Sequence, residues 1–423
     1  MRGLRAVAAL RFREALAGGM LWLLPLHFAI AFAVVRSLPG PPLEARLPAA
    51  DATALGLAAV LGLVAAAVMG ASPLAAERLR PRGTLVLAAP VSPPARVLAT
   101  ALGTGAALLL LVLGLSASAI AAVDFGVGGA AESPRSFERA LSIEGGELDP
   151  TEPGLVWLTK RAPRVRVQFP EASRGAMEIH ARPRFAAGAS MPGCKEVEVF
   201  LIGFGAPDKS FHFSGEVSDL LNRFSTRASA ALSAPFRLPG KAEGVSTAIL
   251  TRVEGNLDLG FRVQGVRIEV GPRPRALARL LHAIALSAGL LAVVGAAMAL
   301  STVTGAGVGA GGALALAMLS LFQPLFADAA DTLAHAGAME RAIQATLQPG
   351  QVAVAQTGTP PALAPVFRAI AAVLPDGTRF DLASAIAANE VPWSGDVVHA
   401  VGLGLGLCAA FLVVAILGAR RRP

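Results

Sequence analysis

The sequence predicts a polytopic α-helical membrane protein: six transmembrane helices carrying an inserted extracytoplasmic β-rich domain, sandwich or jelly-roll-like. Three observations lead there. Of 423 residues, 54% are hydrophobic and only 16% charged, with mean hydropathy +0.59, too apolar for an ordinary soluble protein of this size. The apolar residues collect into uncharged runs long enough to cross a hydrocarbon core of roughly 30 Å. Between two groups of runs, residues 124–275 are mixed in charge, rich in Gly and Pro, and alternate apolar with polar at a period of two.

The elements follow in order. Residues 1–17 set Arg2, Arg5, Arg11 and Arg13 among Leu4, Val7, Leu10, Phe12 and Leu16, which reads as a basic cytoplasmic helix on the inner leaflet or as a charged flank to the first span. A cleaved leader is disfavoured by Glu14 and by the length of the segment. Residues 18–123 hold spans one to three: Gly18–Val35, Ala52–Ala76 and Val97–Val123, with a short outer loop at Arg36–Asp51. In the inserted domain, Arg164 to Phe169 places apolar residues on one face of a strand. Similar strands read at 177–185, 196–203, 210–214, 247–253 and 257–270, with a helix around 218–231.

Residues 276–327 supply spans four and five, because the uncharged run from Leu280 to Ala327 is about twice one span and Thr302–Gly312 is a glycine-rich turn. Arg273, Arg275 and Arg279 precede span four on the outer side, against the usual cytoplasmic bias of basic residues, from which long translocated domains are largely exempt. Residues 328–396 form a second, acidic outer segment with short helices. Residues 397–423 make span six and a basic tail ending in Arg420, Arg421 and Arg422, which places both termini in the cytoplasm.

The most specific stretch is the loop 77–98, between spans two and three. Arg78, Arg80, Arg82 and Arg96 flank it and place it on the cytoplasmic side. Thr84 can cap a short apolar helix that ends at Pro90, and Ser92 before Pro93 starts the next span. An apolar helix ringed by arginine calls for a protein partner, although a basic loop that merely anchors two spans has the same composition. The order Glu77, Gly83, Thr84, Leu85, Leu87, Pro90, Val91, Ser92, Val97, Leu98 resembles the cytoplasmic loop of ABC transporter permeases of the type-2 exporter family. Where that family usually has basic residues after Pro-Val-Ser, this chain has Pro93 and Thr100, with Arg96 nearby. Pro375, Phe380, Asp381, Val391 and Trp393 are similar to the segment before the last span of the same permeases.

The resemblance implies a permease subunit of the cytoplasmic (inner) membrane, with a coupling loop built from Glu77, Arg82, Gly83, Thr84, Leu85, Leu87, Pro90, Val91, Ser92 and Arg96. It implies a separate cytosolic ABC ATPase as partner and a second permease subunit, identical or not, facing the first across the bilayer. ATP and Mg²⁺ belong to that ATPase, and no cofactor is expected on this chain. The alternative is a non-transporting membrane protein that displays the β domain for sensing, adhesion or envelope assembly.

Other chemistries are disfavoured by the residues. Gly240-Lys241 has Pro235 and Ala242 where a phosphate-binding loop needs Gly and Ser or Thr, so the chain itself is not expected to hydrolyse ATP or to be an enzyme. The net charge of +8 comes from arginines at the ends of apolar runs without interleaved aromatics, which speaks against nucleic acid. Cys194 and Cys408 lie too far apart in character to pair, and the histidines show no helical metal-binding spacing; no metal is expected, His180, His212 and Cys194 being the one conceivable set. His27, His282 and His399 lie in or beside spans, where ionisable groups are costly and often functional. Gly307 with Gly311, and Gly402 with Gly406, have the spacing that lets helices approach closely.

Overall fold

The computed structural model describes residues 2–38, 43–79, 91–127, 133–149, 154–170, 177–185, 197–202, 210–215, 235–238, 246–252, 257–327, 329–330 and 363–420. The chain divides into a helical unit, Met1–Pro134 with Pro274–Ala327 and Pro365–Pro423, and a second unit of Arg135–Arg273 with Asp328–Ala364.

The helical unit begins with α1 (Arg2–Ala17), a 3-10 turn (Met20–Trp22) and α2 (Leu23–Ser37). Two long helices follow, α3 (Leu43–Leu79) and α4 (Pro93–Val127), and after the insertion α5 (Arg275–Val303) and α6 (Ala306–Leu321). Then come α7 (Leu363–Val373), a 3-10 turn (Gly377–Phe380), α8 (Ala383–Ala387) and α9 (Ser394–Arg420). Among the described residues five stretches are long and apolar enough to cross a membrane: Met20–Ser37, Arg46–Pro73, Pro93–Val127, Arg275–Val303 and Ser394–Arg420. The protein is a multi-pass membrane protein by that measure. The fifth expected span corresponds to α6, whose 16 residues rise roughly 24 Å and fall short of the roughly 30 Å core on their own.

Helix α5 is the hub. In its apolar window 67% of residues are buried, against 17% in those of α2 and α9, so α5 is surrounded while the other two border the unit. Small residues allow the approach. A Cβ on Gly70 of α3 would lie 2.7 Å from the Val294 carbonyl oxygen, and one on Gly404 of α9 would lie 2.5 Å from that of Ala288. Helices surrounded by lipid gain nothing from hiding apolar surface from each other, so close backbone contact and dispersion decide their packing.

Thr302–Gly312 is mostly helix rather than the expected glycine-rich turn: the chain reverses at Thr304 and Gly305, and α6 already starts at Ala306. Gly309 lies so near Ser301 that an added Cβ would be 2.9 Å from its Cα. Gly309 and Gly312 therefore serve the fit of α6 on α5, and the reversal needs only the fully extended Gly305.

The second unit holds two sheets of antiparallel strands whose side chains share one core. One sheet is built on the 16-residue β11 (Leu257–Pro272), which pairs β1 (Arg135–Arg139) and β4 (Leu155–Leu158) along one edge and β6 (Met177–Phe185) along the other. Outside these, β3 (Glu147–Leu148) pairs β4 and β9 (Pro235–Leu238) pairs β6. The other sheet runs β2 (Ser142–Gly145), β5 (Arg164–Gln168), β10 (Thr247–Arg252), β7 (Val197–Ile202), β8 (Ser210–Gly215). Val165, Val167, Ala248 and Leu250 from this sheet share one core with Val156, Leu158, Phe261 and Ile268 of the other.

The alternation expected at Arg164 to Phe169 is there, with Val165 and Val167 buried and Arg164 and Arg166 exposed. The strands expected from 177 to 270 recur at nearly the same bounds; the helix expected around 218–231 lies outside the described residues. Missed were β1 to β4 and β9. In β4 all of Leu155 to Leu158 is buried, so the period-two signal is absent by construction.

Candidate functional site

Most of the loop singled out by sequence lies outside the described residues: Arg82, Gly83, Thr84, Leu85, Leu87 and Pro90, and likewise the side chain of Glu77, which falls in the last turns of α3. Its base is described. The Ser92 carbonyl accepts the Arg96 N–H at 2.9 Å and closes the first turn of α4, where Pro93 and Pro94 are tolerated because those positions have no helical acceptor for an N–H. Arg96 bends back, and its Nη2 donates to the Val91 carbonyl at 3.4 Å, so its guanidinium pins the entry into α4.

Helix α1 is docked on this base. Val7 and Arg11, four residues apart on one face, are buried, and the Arg11 Nη1 donates to Glu14 Oε2 at 2.6 Å. Gly103 is the contact point: a Cβ there would sit 2.3 Å from the Ala8 carbonyl oxygen. Gly3 faces Val91, and Phe12, Ala15 and Leu16 join the helical core. Arg5 and Arg13 stay on the exposed face.

Length adds a second property. Helices α3 and α4 have 37 and 35 residues. At ~1.5 Å per residue each exceeds a ~30 Å core by roughly 20 Å. The far ends of the same helices carry the carboxylates Asp51 and Asp124; α4 ends three residues past Asp124, so its excess falls at the end joined by residues 80–92, while α3 starts eight residues before Asp51 and divides its excess between both ends.

Those far ends are bound by a charged cluster that sequence reading missed. Asp51, 1% exposed, accepts from Arg279 Nη2 at 2.6 Å and Nε at 3.2 Å, and Arg275 Nε lies 3.5 Å from its other oxygen. Arg279 Nη2 also lies 3.6 Å from Asp124, and Arg275 donates to the Asn389 side-chain oxygen at 3.3 Å. Helices α3, α4 and α5 are thereby joined at one end. Two of the three arginines that looked misplaced by the positive-inside tendency, Arg275 and Arg279, are neutralised by carboxylates of the neighbouring helices. The signal in the sequence was Arg275 and Arg279 four apart, with a lone carboxylate at the edge of two other runs.

The three membrane histidines differ in circumstance. His27 is fully engaged, its Nδ1 meeting the Ser118 hydroxyl and its Nε2 the Ala54 carbonyl at 3.1 Å, so it ties α2 to α3 and α4. His399 meets Arg379, which also holds Asp376 at 3.0 Å. His282 is completely buried in α5, and neither ring nitrogen has a hydrogen-bond partner among the described residues. Of the conceivable metal set, His180 is on β6 and His212 on β8, in different sheets, while Cys194 lies outside the described residues. No group of possible metal ligands occurs among the described residues.

The expected packing glycines make no close contact within the chain. A Cβ on Gly307, Gly311, Gly402 or Gly406 would meet nothing within 4 Å in this chain; Gly309 and Gly404, two residues along, make the close contacts. Spacing locates a pair of glycines on a helix but not the face that a neighbour covers.

No protein family matches the chain, and no curated protein or solved structure is detectably similar to it.

Proposed function

We propose that the protein is the membrane-spanning permease subunit of an ABC-type exporter in the cytoplasmic membrane, driven by a separate cytosolic ATPase. The observation that carries this reading is the residue order from Glu77 to Leu98, set between two helices that overhang a bilayer core by roughly 20 Å each. In this reading the overhanging ends face the cytosol and the tip between them seats on the ATPase. Closure of the ATPases on ATP displaces the tip. Helix α1 is carried along by its contact at Gly103, while the Asp51 cluster holds the opposite ends of α3, α4 and α5 together and acts as the pivot. Such an element transmits work only if nucleotide favours one of its two positions over the other.

The sixth crossing is assigned to α6 together with residues 323–327, which continue it after the turn at Phe322. Six crossings put both termini and the tip in the cytosol and the β-sandwich outside. Two such subunits, identical or related, would face each other to enclose a path.

The test is purification of the full chain from its own membranes. A nucleotide-hydrolysing partner is expected to co-purify, and charge reversal at Glu77 and Arg82 to release it and remove stimulation of its ATPase. Unaltered assembly and stimulation in those variants would discard the coupling role.

A further inference from the structure

The helical unit contains a partly open cavity of about 290 Å³ lined by α3, α5, α6 and α9 and, at one side, by residues 375–381. It lies midway along the spanning helices, between Gly56 and Leu63 on α3 and between Leu286 and Ala296 on α5. Its walls are almost wholly apolar, and Asp381 is the one charged residue among them. His282 stands one turn and two turns before Leu286 and Gly289 on the same helical face, buried, with two ring nitrogens that no described protein group satisfies. Phe380, the neighbour of Asp381, packs against Gly289 of the same helix. One Asp381 oxygen accepts the Ala383 N–H at 3.0 Å.

We propose that this cavity binds a single acyl chain of a membrane amphiphile, whose polar end carries hydrogen-bond donors and is held between His282 and Asp381. An apolar cavity in the middle of a membrane protein is bathed by hydrocarbon, so its available occupant is a lipid chain. A space of about 290 Å³ accommodates a chain segment of several methylenes. The unpartnered imidazole and the carboxylate then select a hydroxyl or ammonium head over an anionic one. This inference rests on the helices being in a bilayer and not on the coupling to an ATPase. Glu77 and Arg82 variants should leave it intact.

Gly56 provides the test, because it lines the cavity and a Cβ there meets nothing within 4 Å. The full chain in lipid nanodiscs is photolabelled with a diazirine-tailed monoacylglycerol, or with the fatty acid of the same tail, and adducts are mapped by mass spectrometry. Adducts should concentrate on Leu63 and Leu290 of the cavity over Leu102 and Leu113, which face outward. Gly56→Phe, or Ala317→Trp on the opposite wall, should reduce the cavity adducts by about 10-fold or more, the loss of a few buried methylenes, and leave the outward ones unchanged. Cavity adducts that persist in both variants, or that never exceed the outward ones, would overturn the proposal. The monoacylglycerol should label several-fold more than the fatty acid, and Asp381→Asn should remove that preference; equal labelling in the unaltered protein would overturn the assignment of the polar end.

Discussion

The helical unit and the β-sandwich bury their interiors with different residues. Around α5 close backbone contacts are made by Gly70, Gly295, Gly309 and Gly404 and by alanines such as Ala288 and Ala297. The sandwich core is made of Val156, Leu158, Val165, Val167, Phe261 and Ile268. The solvent explains the contrast. Facing water, a sheet gains from each apolar side chain it hides, so branched and aromatic residues fill its core. Facing lipid, a helix gains only from contact itself, and small residues bring backbones together. Polar groups diverge in the same sense: the sandwich places its arginines outward along β5, whereas the bundle concentrates Asp51, Arg275 and Arg279 in one buried cluster.

Five variants would sharpen or break this contrast. Asp51→Ala leaves Arg279 and Arg275 without their shared carboxylate, and breaking a buried pair costs about 3–5 kcal/mol. It should lower the detergent-solubilised melting temperature the most, and Asp51→Leu with Arg279→Leu should recover part of the loss. In the sandwich, Leu158→Ala opens a cavity at a site 1% exposed and should cost ~2–5 kcal/mol in denaturant unfolding followed by Trp157 fluorescence. The same substitution should leave photolabelling of the bundle unchanged. Gly404→Leu forces α9 from α5 at Ala288 and should cost ~1–3 kcal/mol, seen as a lower melting temperature and earlier aggregation. Gly402→Ala, on the open face of the same helix, should stay within about 0.5 kcal/mol of the parent. Equal effects at Gly402 and Gly404 would break the account of packing by glycine.

Which features could be read from the chain follows the same physics. Apolar runs give the spanning helices because a bilayer imposes a length, and β5 is legible because one of its faces is wet. Strand β4 hides its pattern by being buried on both faces. The glycines of 302–312 read as a turn because composition alone does not distinguish a reversal from a close helix contact. Nor could the cluster be assembled from sequence, since Asp51 and Arg279 are 228 residues apart and each looks like an ordinary end-of-span charge. The loop 77–98 is the reverse case. Its residue order is distinctive, and the described structure bears on it only at Val91, Ser92, Arg96 and the helices that frame it.

That loop is also where the account is most directly tested. With Cys194 and Cys408 replaced, a single cysteine at Thr84 can be labelled by a membrane-impermeant maleimide in right-side-out and inverted vesicles. The account predicts labelling in inverted vesicles alone, with protection when the ATPase is bound. Labelling from the outer face in right-side-out vesicles would contradict it.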